Sequence, residues 1–227
     1  GLSTVQVAAI EVGDLAQLTT EALAGLGSAQ IKAMSGAQLA ILGPDLIAGL
    51  PTAAIAGLTT AQLAGLTTAQ VAALSAGAAA ALGSAQLAGL TADQVAALST
   101  AAVAALATAA LKGLGAEDLA ALTGDQVAAL TGAQVAALGS AQVATIDLGD
   151  ISRLGAEAVA GIGTLQAKGL AAAQVAALGT EQVVALGSAA ISGLGSVFAS
   201  LSADQLAVLT SSAARGIGSG QLAALTT

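Results

Sequence analysis

A large aliphatic residue returns at every eighth position of this chain for most of its length. Leu, Ile or Met stands at 2, 10, 18, 26, 34, 42, 50 and onward without a miss to Leu194. One step of seven then reaches Leu201, and steps of eight resume to Leu225. Residues 1–227 thus read as a single continuous array of about 28 octets, with one seven-residue unit at 194–200. Numbering each octet from its leading residue, the clearest copies are Leu58-Thr-Thr-Ala-Gln-Leu-Ala-Gly65 and Leu66-Thr-Thr-Ala-Gln-Val-Ala-Ala73.

That period leaves few folds open. In one continuous helix, at about 100° per residue, each octet would rotate the apolar stripe by about 80°, so no face stays buried. In a strand, positions one and six have opposite parity and their side chains would point to opposite faces. The Ala content also disfavours strands. A helix interrupted once per octet remains.

Local signals agree with it. Thr59–Gln62, Thr67–Gln70, Thr91–Gln94, Thr123–Gln126, Thr131–Gln134 and Ser202–Gln205 each read Ser/Thr-x-x-Gln, the capping-box spacing, so the hydroxyls at position two are the predicted helix caps. Where position two is Gly27, Gly83, Gly139 or Gly179, a Ser or Thr follows. The expectation there is a left-handed glycine closing one helix and a hydroxyl capping the next. Charges sort by position as well. All thirteen acids occupy positions two, four or five, as at Glu21, Asp45, Asp93 and Glu157. Lys32, Lys112, Lys168 and Arg215 stand at position seven, with Arg153 at eight. Acids at helix starts and bases at helix ends suit the helix dipole.

Position six and the next leading residue are three apart and share a helix face. The predicted core therefore includes Leu58, Leu63, Leu66, Val71, Leu90, Val95, Leu122, Val127, Leu130 and Val135. One such helix is too short to stand alone, and stability has to come from stacking neighbours. The fold class expected is an all-α solenoid of very short helices, one per octet. Leu at position six recurs at 15, 39, 63, 87 and 111, a 24-residue spacing that points to three octets per turn and a triangular cross-section. A competing signal is the likeness of 2–42 to 138–178, an offset of seventeen octets, which three does not divide.

Composition narrows the function. Hydrophobic residues make up 56%, with one Phe and no Tyr or Trp, so the core is narrow and lined by small aliphatics. A net charge of −8 and the lack of stacking rings argue against nucleic-acid binding. Despite a mean hydropathy of +0.89, a Ser, Thr, Gln or charge recurs within each octet, which argues against membrane insertion. The chain has neither Cys nor His, so the usual zinc, iron–sulfur and copper sites are excluded, and no cofactor is expected.

The remaining candidates for chemistry have plain structural readings. Gly13-Asp14 and Gly149-Asp150, each with an acid three residues before the Asp, supply too few oxygens for a calcium loop and read as helix starts. Glu117-Asp118 has no neighbouring base, and the abundant hydroxyls have no His to activate them, so no enzyme is expected. Phe198, in the one shortened unit, is expected to fill the gap left by the missing residue. Thr at position three offers a regular hydroxyl lattice for ice or a polysaccharide, the binding-module alternative.

The runs at 65–74 and 129–138, reading Leu-Thr-Thr/Gly-Ala-Gln-Val-Ala-Ala-Leu after a Gly or Ala, resemble octapeptide-repeat tracts of very large bacterial secreted, adhesin-like surface proteins. The resemblance covers nearly the whole chain and transfers no site residue. It implies a structural spacer at the cell surface or outside a bacterium. The expected partners are neighbouring repeats of the same chain. End-to-end self-association, and so a filament subunit, is the related alternative, because the pattern is already running at Leu2.

Overall fold

The computed structural model describes residues 2–19, 21–22 and 25–225. Among them the chain forms 25 α-helical and two 3-10 segments, four to seven residues long, and no strand. No helix is long and apolar enough to cross a membrane among the described residues.

The octet 66–73 shows how the sequence makes one corner and one helix. Thr67 is extended (φ −71°, ψ 158°) and its Oγ1 accepts the Gln70 N–H. The helix Thr68–Ala72 follows, and Ala73 closes it with its N–H on the Ala69 carbonyl. The next leading residue, Leu74, gives its N–H to Val71, and the chain passes into the extended cap of the following helix, Ser75 (φ −68°, ψ 159°). Positions one and two thus form the corner, and positions three to seven the helix. Side chains at one and six point inward from each. Pro44 opens its helix, where its missing N–H has no partner to lose.

The glycine reading needs correction. Gly27, Gly83, Gly139 and Gly179 are not left-handed. Their φ values lie between −72° and −91°, and each is the extended N-cap of the helix that follows. The helix before them has already ended, so the Ser or Thr after each glycine is the first helical residue and not a cap. Gly195 (φ 52°) is the one described residue with positive φ.

The described chain falls into two compact units, Gly1–Leu114 and Gly115–Thr227. Within each, every helix packs on the helix three places along, so three octets complete one turn. In the first unit the stacks run through octets 2, 26, 50, 74 and 98; through 10, 34, 58, 82 and 106; and through 42, 66 and 90, each named by its leading residue. In the second they run through 122, 146, 170, 194 and 217; through 130, 154, 178 and 201; and through 114, 138, 162, 186 and 209. The structure is a solenoid of very short helices. Leu58, Leu63, Leu66, Val71, Leu90 and Val95 in the first unit, and Leu122, Val127, Leu130 and Val135 in the second, are all at most 5% exposed.

Turns approach most closely where position eight is glycine. A Cβ on Gly113 would overlap the Ser84 carbonyl oxygen, and one on Gly169 the Ser140 carbonyl oxygen. In both cases the obstacle is backbone of the turn below, which cannot swing aside. Gly169→Ala is expected to destabilise the second unit by roughly 1–3 kcal/mol, the usual range for overpacking. Gly155→Ala, at an extended cap with open space around it, should cost less than about 1 kcal/mol. Urea denaturation of the two variants checks this, and equal midpoints would refute the close approach.

The seven-residue unit is absorbed inside one turn. The helix Ser188–Leu194 runs through the place where a corner belongs, and Gly195 supplies the reversal. The 3-10 segment Gly195–Ser200 follows. Phe198 gives its carbonyl to the Leu201 N–H, as position six does elsewhere, so the missing residue falls between the lead and position six. The Phe198 ring is 0% exposed.

Candidate functional site

The most organised polar feature is a series of buried glutamines at position five, such as Gln62, Gln70, Gln94, Gln174, Gln182 and Gln205. Their placement follows from the octet. Position five is the third helical residue, so its side chain reaches back to the helix start. The Gln70 Oε1 accepts the Thr67 N–H at 2.8 Å while Thr67 Oγ1 accepts the Gln70 N–H at 3.2 Å. The same reciprocal pair forms at Thr59, Thr91, Thr123, Thr131 and Ser202.

The other half of the amide does something capping does not require. Gln70 Nε2 donates to the carbonyls of Leu39 (2.8 Å) and Leu42 (2.7 Å) in the turn before. Gln62 reaches Ile31 (3.1 Å) and Met34 (2.8 Å), and Gln94 reaches Leu63 (3.0 Å) and Leu66 (2.7 Å). In the second unit Gln174 bonds Val143 and Ile146, and Gln182 bonds Ile151 and Leu154. In these five the acceptors are a position-six carbonyl, which also takes the N–H of the next leading residue, and the carbonyl of that leading residue, whereas Gln166 bonds Ala136, at position seven, with Leu138. One side chain therefore caps its own helix and satisfies the corner of the preceding turn. No buried side-chain nitrogen or oxygen lacks a partner among the described residues.

This second role escaped the sequence reading, which assigned the glutamines to capping alone. The signal was there: Glu serves a capping box as well as Gln, yet no Glu occupies position five in any octet. A carboxylate has no N–H to give to the turn beneath.

Ionisable side chains, by contrast, stay on the surface. Arg153 joins Asp125 of the preceding turn at 2.9 Å and lies 3.9 Å from Asp150, so the acid of the second Gly-Asp candidate faces a cation. Asp118 of the Glu117-Asp118 pair accepts the Gly115 N–H at 2.8 Å as a cap. Three open grooves hold at most one titratable group apiece: Lys32 beside Ser28 and Thr59, Glu181 beside Ser152 and Thr180, and none beside Ser192 and Ser196. Position three does not form an unbroken hydroxyl row. Along one stack of the first unit it reads Val12, Gly36, Thr60, Ser84, Thr108, and along another Pro44, Thr68, Ala92.

No curated protein matches the chain. A family model described as the ALTTAQ repeat matches residues 7–44, 45–76, 68–100, 79–108 and 100–132, which together span more than half of the sequence. Its six-letter signature appears here as Ala-Leu-Thr-Thr-Ala-Gln with Gly in the first place at 65–70, ending on the bridging Gln70. The chain belongs to the ALTTAQ repeat family.

Proposed function

We propose that the chain is a structural spacer of a bacterial surface protein, placed outside the cell and without catalytic activity. The observation that supports this is the glutamine bridge. Each turn is completed by the turn beside it, so repetition extends the protein without creating a new kind of site. Its ionisable groups lie on the surface, and the grooves that hold Lys32 and Glu181 bring no second titratable group beside them. Repeats of the same chain are its main partners, and a distal module is what it holds away from the cell.

The test uses the full chain in its parent cell with an epitope after the array. Removing residues 50–73, one whole turn, should leave the helical circular dichroism per residue unchanged and shorten the epitope's reach, measured by antibody-distance imaging on intact cells. Protease added outside should cut the array. An array protected from external protease overturns the location. Unchanged reach, or a turn deletion that abolishes a binding or catalytic activity, overturns the spacer role.

A further inference from the structure

From octet 130 onward the second unit segregates charge between two of its faces. On the stack of octets 130, 154, 178 and 201, every charge is acidic: Glu157, Glu181 and Asp204, all exposed at position four, one per turn. On the stack of octets 114, 138, 162, 186 and 209, the first octet carries Glu117 and Asp118, and above it the only charges are Lys168 and Arg215, both exposed at position seven. None of these five side chains makes an ion pair within the described residues. Each face also exposes one large apolar side chain, Val184 at position seven of the acidic face (45% exposed) and Leu165 at position four of the basic face (56%).

We propose that these two faces are a lateral interface between copies of this chain, the acidic face of one docking on the basic face of the next. The inference goes beyond the spacer reading and does not depend on it. When two identical coils lie side by side with axes parallel, their octets circulate in the same sense, so facing helices run antiparallel. Position four of one copy then opposes position seven of the other. The spacing fits as well. Lys168 and Arg215 are 47 residues apart, and so are Glu157 and Asp204, because both intervals span two turns and include the shortened unit.

A single register therefore sets octet 162 against 154, 186 against 178 and 209 against 201. It pairs Lys168 with Glu157, Ser192 with Glu181, and Arg215 with Asp204 of the second copy. In the same register Leu165 lies over Ala160, and Val184 over Ala189, each large apolar side chain meeting a small one. The contact is heterologous, so each copy keeps its other face for a further neighbour, and the pair retains one face of each sign. Since the chain carries a net charge of −8, copies repel in most orientations, and this one brings opposite signs together.

Sedimentation equilibrium at low ionic strength over a concentration series tests it. The unaltered chain should associate. The double variants Lys168→Glu/Arg215→Glu and Glu157→Lys/Asp204→Lys should each weaken association at least tenfold. An equimolar mixture of the two variants should restore it, because the reversed faces complement each other. All four residues are exposed, and circular dichroism establishes that each variant folds. A chain that stays monomeric throughout, variants that associate like the parent, or a mixture that fails to recover association overturns the proposal.

Discussion

Replacing Gln70 by Leu is expected to cost roughly 2–6 kcal/mol of stability, although the new side chain is apolar, similar in size and placed in the core. Gln70 is 1% exposed, and its amide serves three backbone groups: the Thr67 N–H, and the Leu39 and Leu42 carbonyls. Leucine serves none. The Thr67 N–H and the Leu42 carbonyl lose their partner, at about 1–3 kcal/mol each, while the Leu39 carbonyl keeps the Leu42 N–H. Gln6 is the matched control. It caps Ser3 but is exposed, and its Nε2 reaches no carbonyl among the described residues. Gln6→Leu should therefore shift stability by about 1 kcal/mol or less. Guanidinium unfolding followed by circular dichroism reads both. Gln70→Glu, which keeps the acceptor and removes the amide donor, should behave like Gln70→Leu. If Gln70→Glu is as stable as the parent, the bridge between turns contributes nothing.

The second large effect is expected at Phe198. Truncation to Ala should cost about 3–5 kcal/mol, the usual range for a fully buried aromatic. The ring stands in a unit one residue short that has no position-five glutamine to send to the turn beneath. Beyond it the bridges resume with their spacing reduced by one. Gln205 reaches Val175 and Leu178, 30 and 27 residues back, where Gln174 reaches Val143 and Ile146, 31 and 28 back. Phe198 therefore fills space that a shortened backbone leaves open, while the turns above keep their register. Phe198→Leu, which retains most of the volume, should lose markedly less than Phe198→Ala. Thermal unfolding separates them, and equal losses would mean that the ring packs against nothing in particular.

Much of the architecture was legible because the octet repeats each physical constraint many times. Leu58 and Leu63 mark the inward face, Thr59 and Gln62 the helix start, and Asp93 and Lys112 the two ends of the dipole. The 24-residue spacing of Leu63, Leu87 and Leu111 was informative for a reason invisible in the sequence. The glycines two residues after Leu87 and Leu111 lie against Thr60 and Ser84 of the turn below. The offset that relates 2–42 to 138–178 is a likeness of sequence and not a period of the coil.

What stayed hidden depends on which groups meet between turns. A capping box is complete within four residues, so nothing local says that Gln70 has an amide still to place. Likewise the backbone of Gly27 or Gly83 is decided by where the preceding helix has already stopped, and the sequence shows only that a small residue stands there. The opposed signs of Glu157 and Lys168 became a pattern only once the helices were sorted into faces.

The backward reach of the glutamines has a consequence for how such proteins change over generations. Each bridge joins a residue to one about a turn earlier, so its two partners move together when a block of three octets is gained or lost. Recombination between near-identical stretches can then alter length by whole turns and leave every surviving bond with a partner of the same kind. A slip by one or two octets would instead move every later octet to a different wall of the coil. Selection on length would accordingly leave its mark as steps of twenty-four residues.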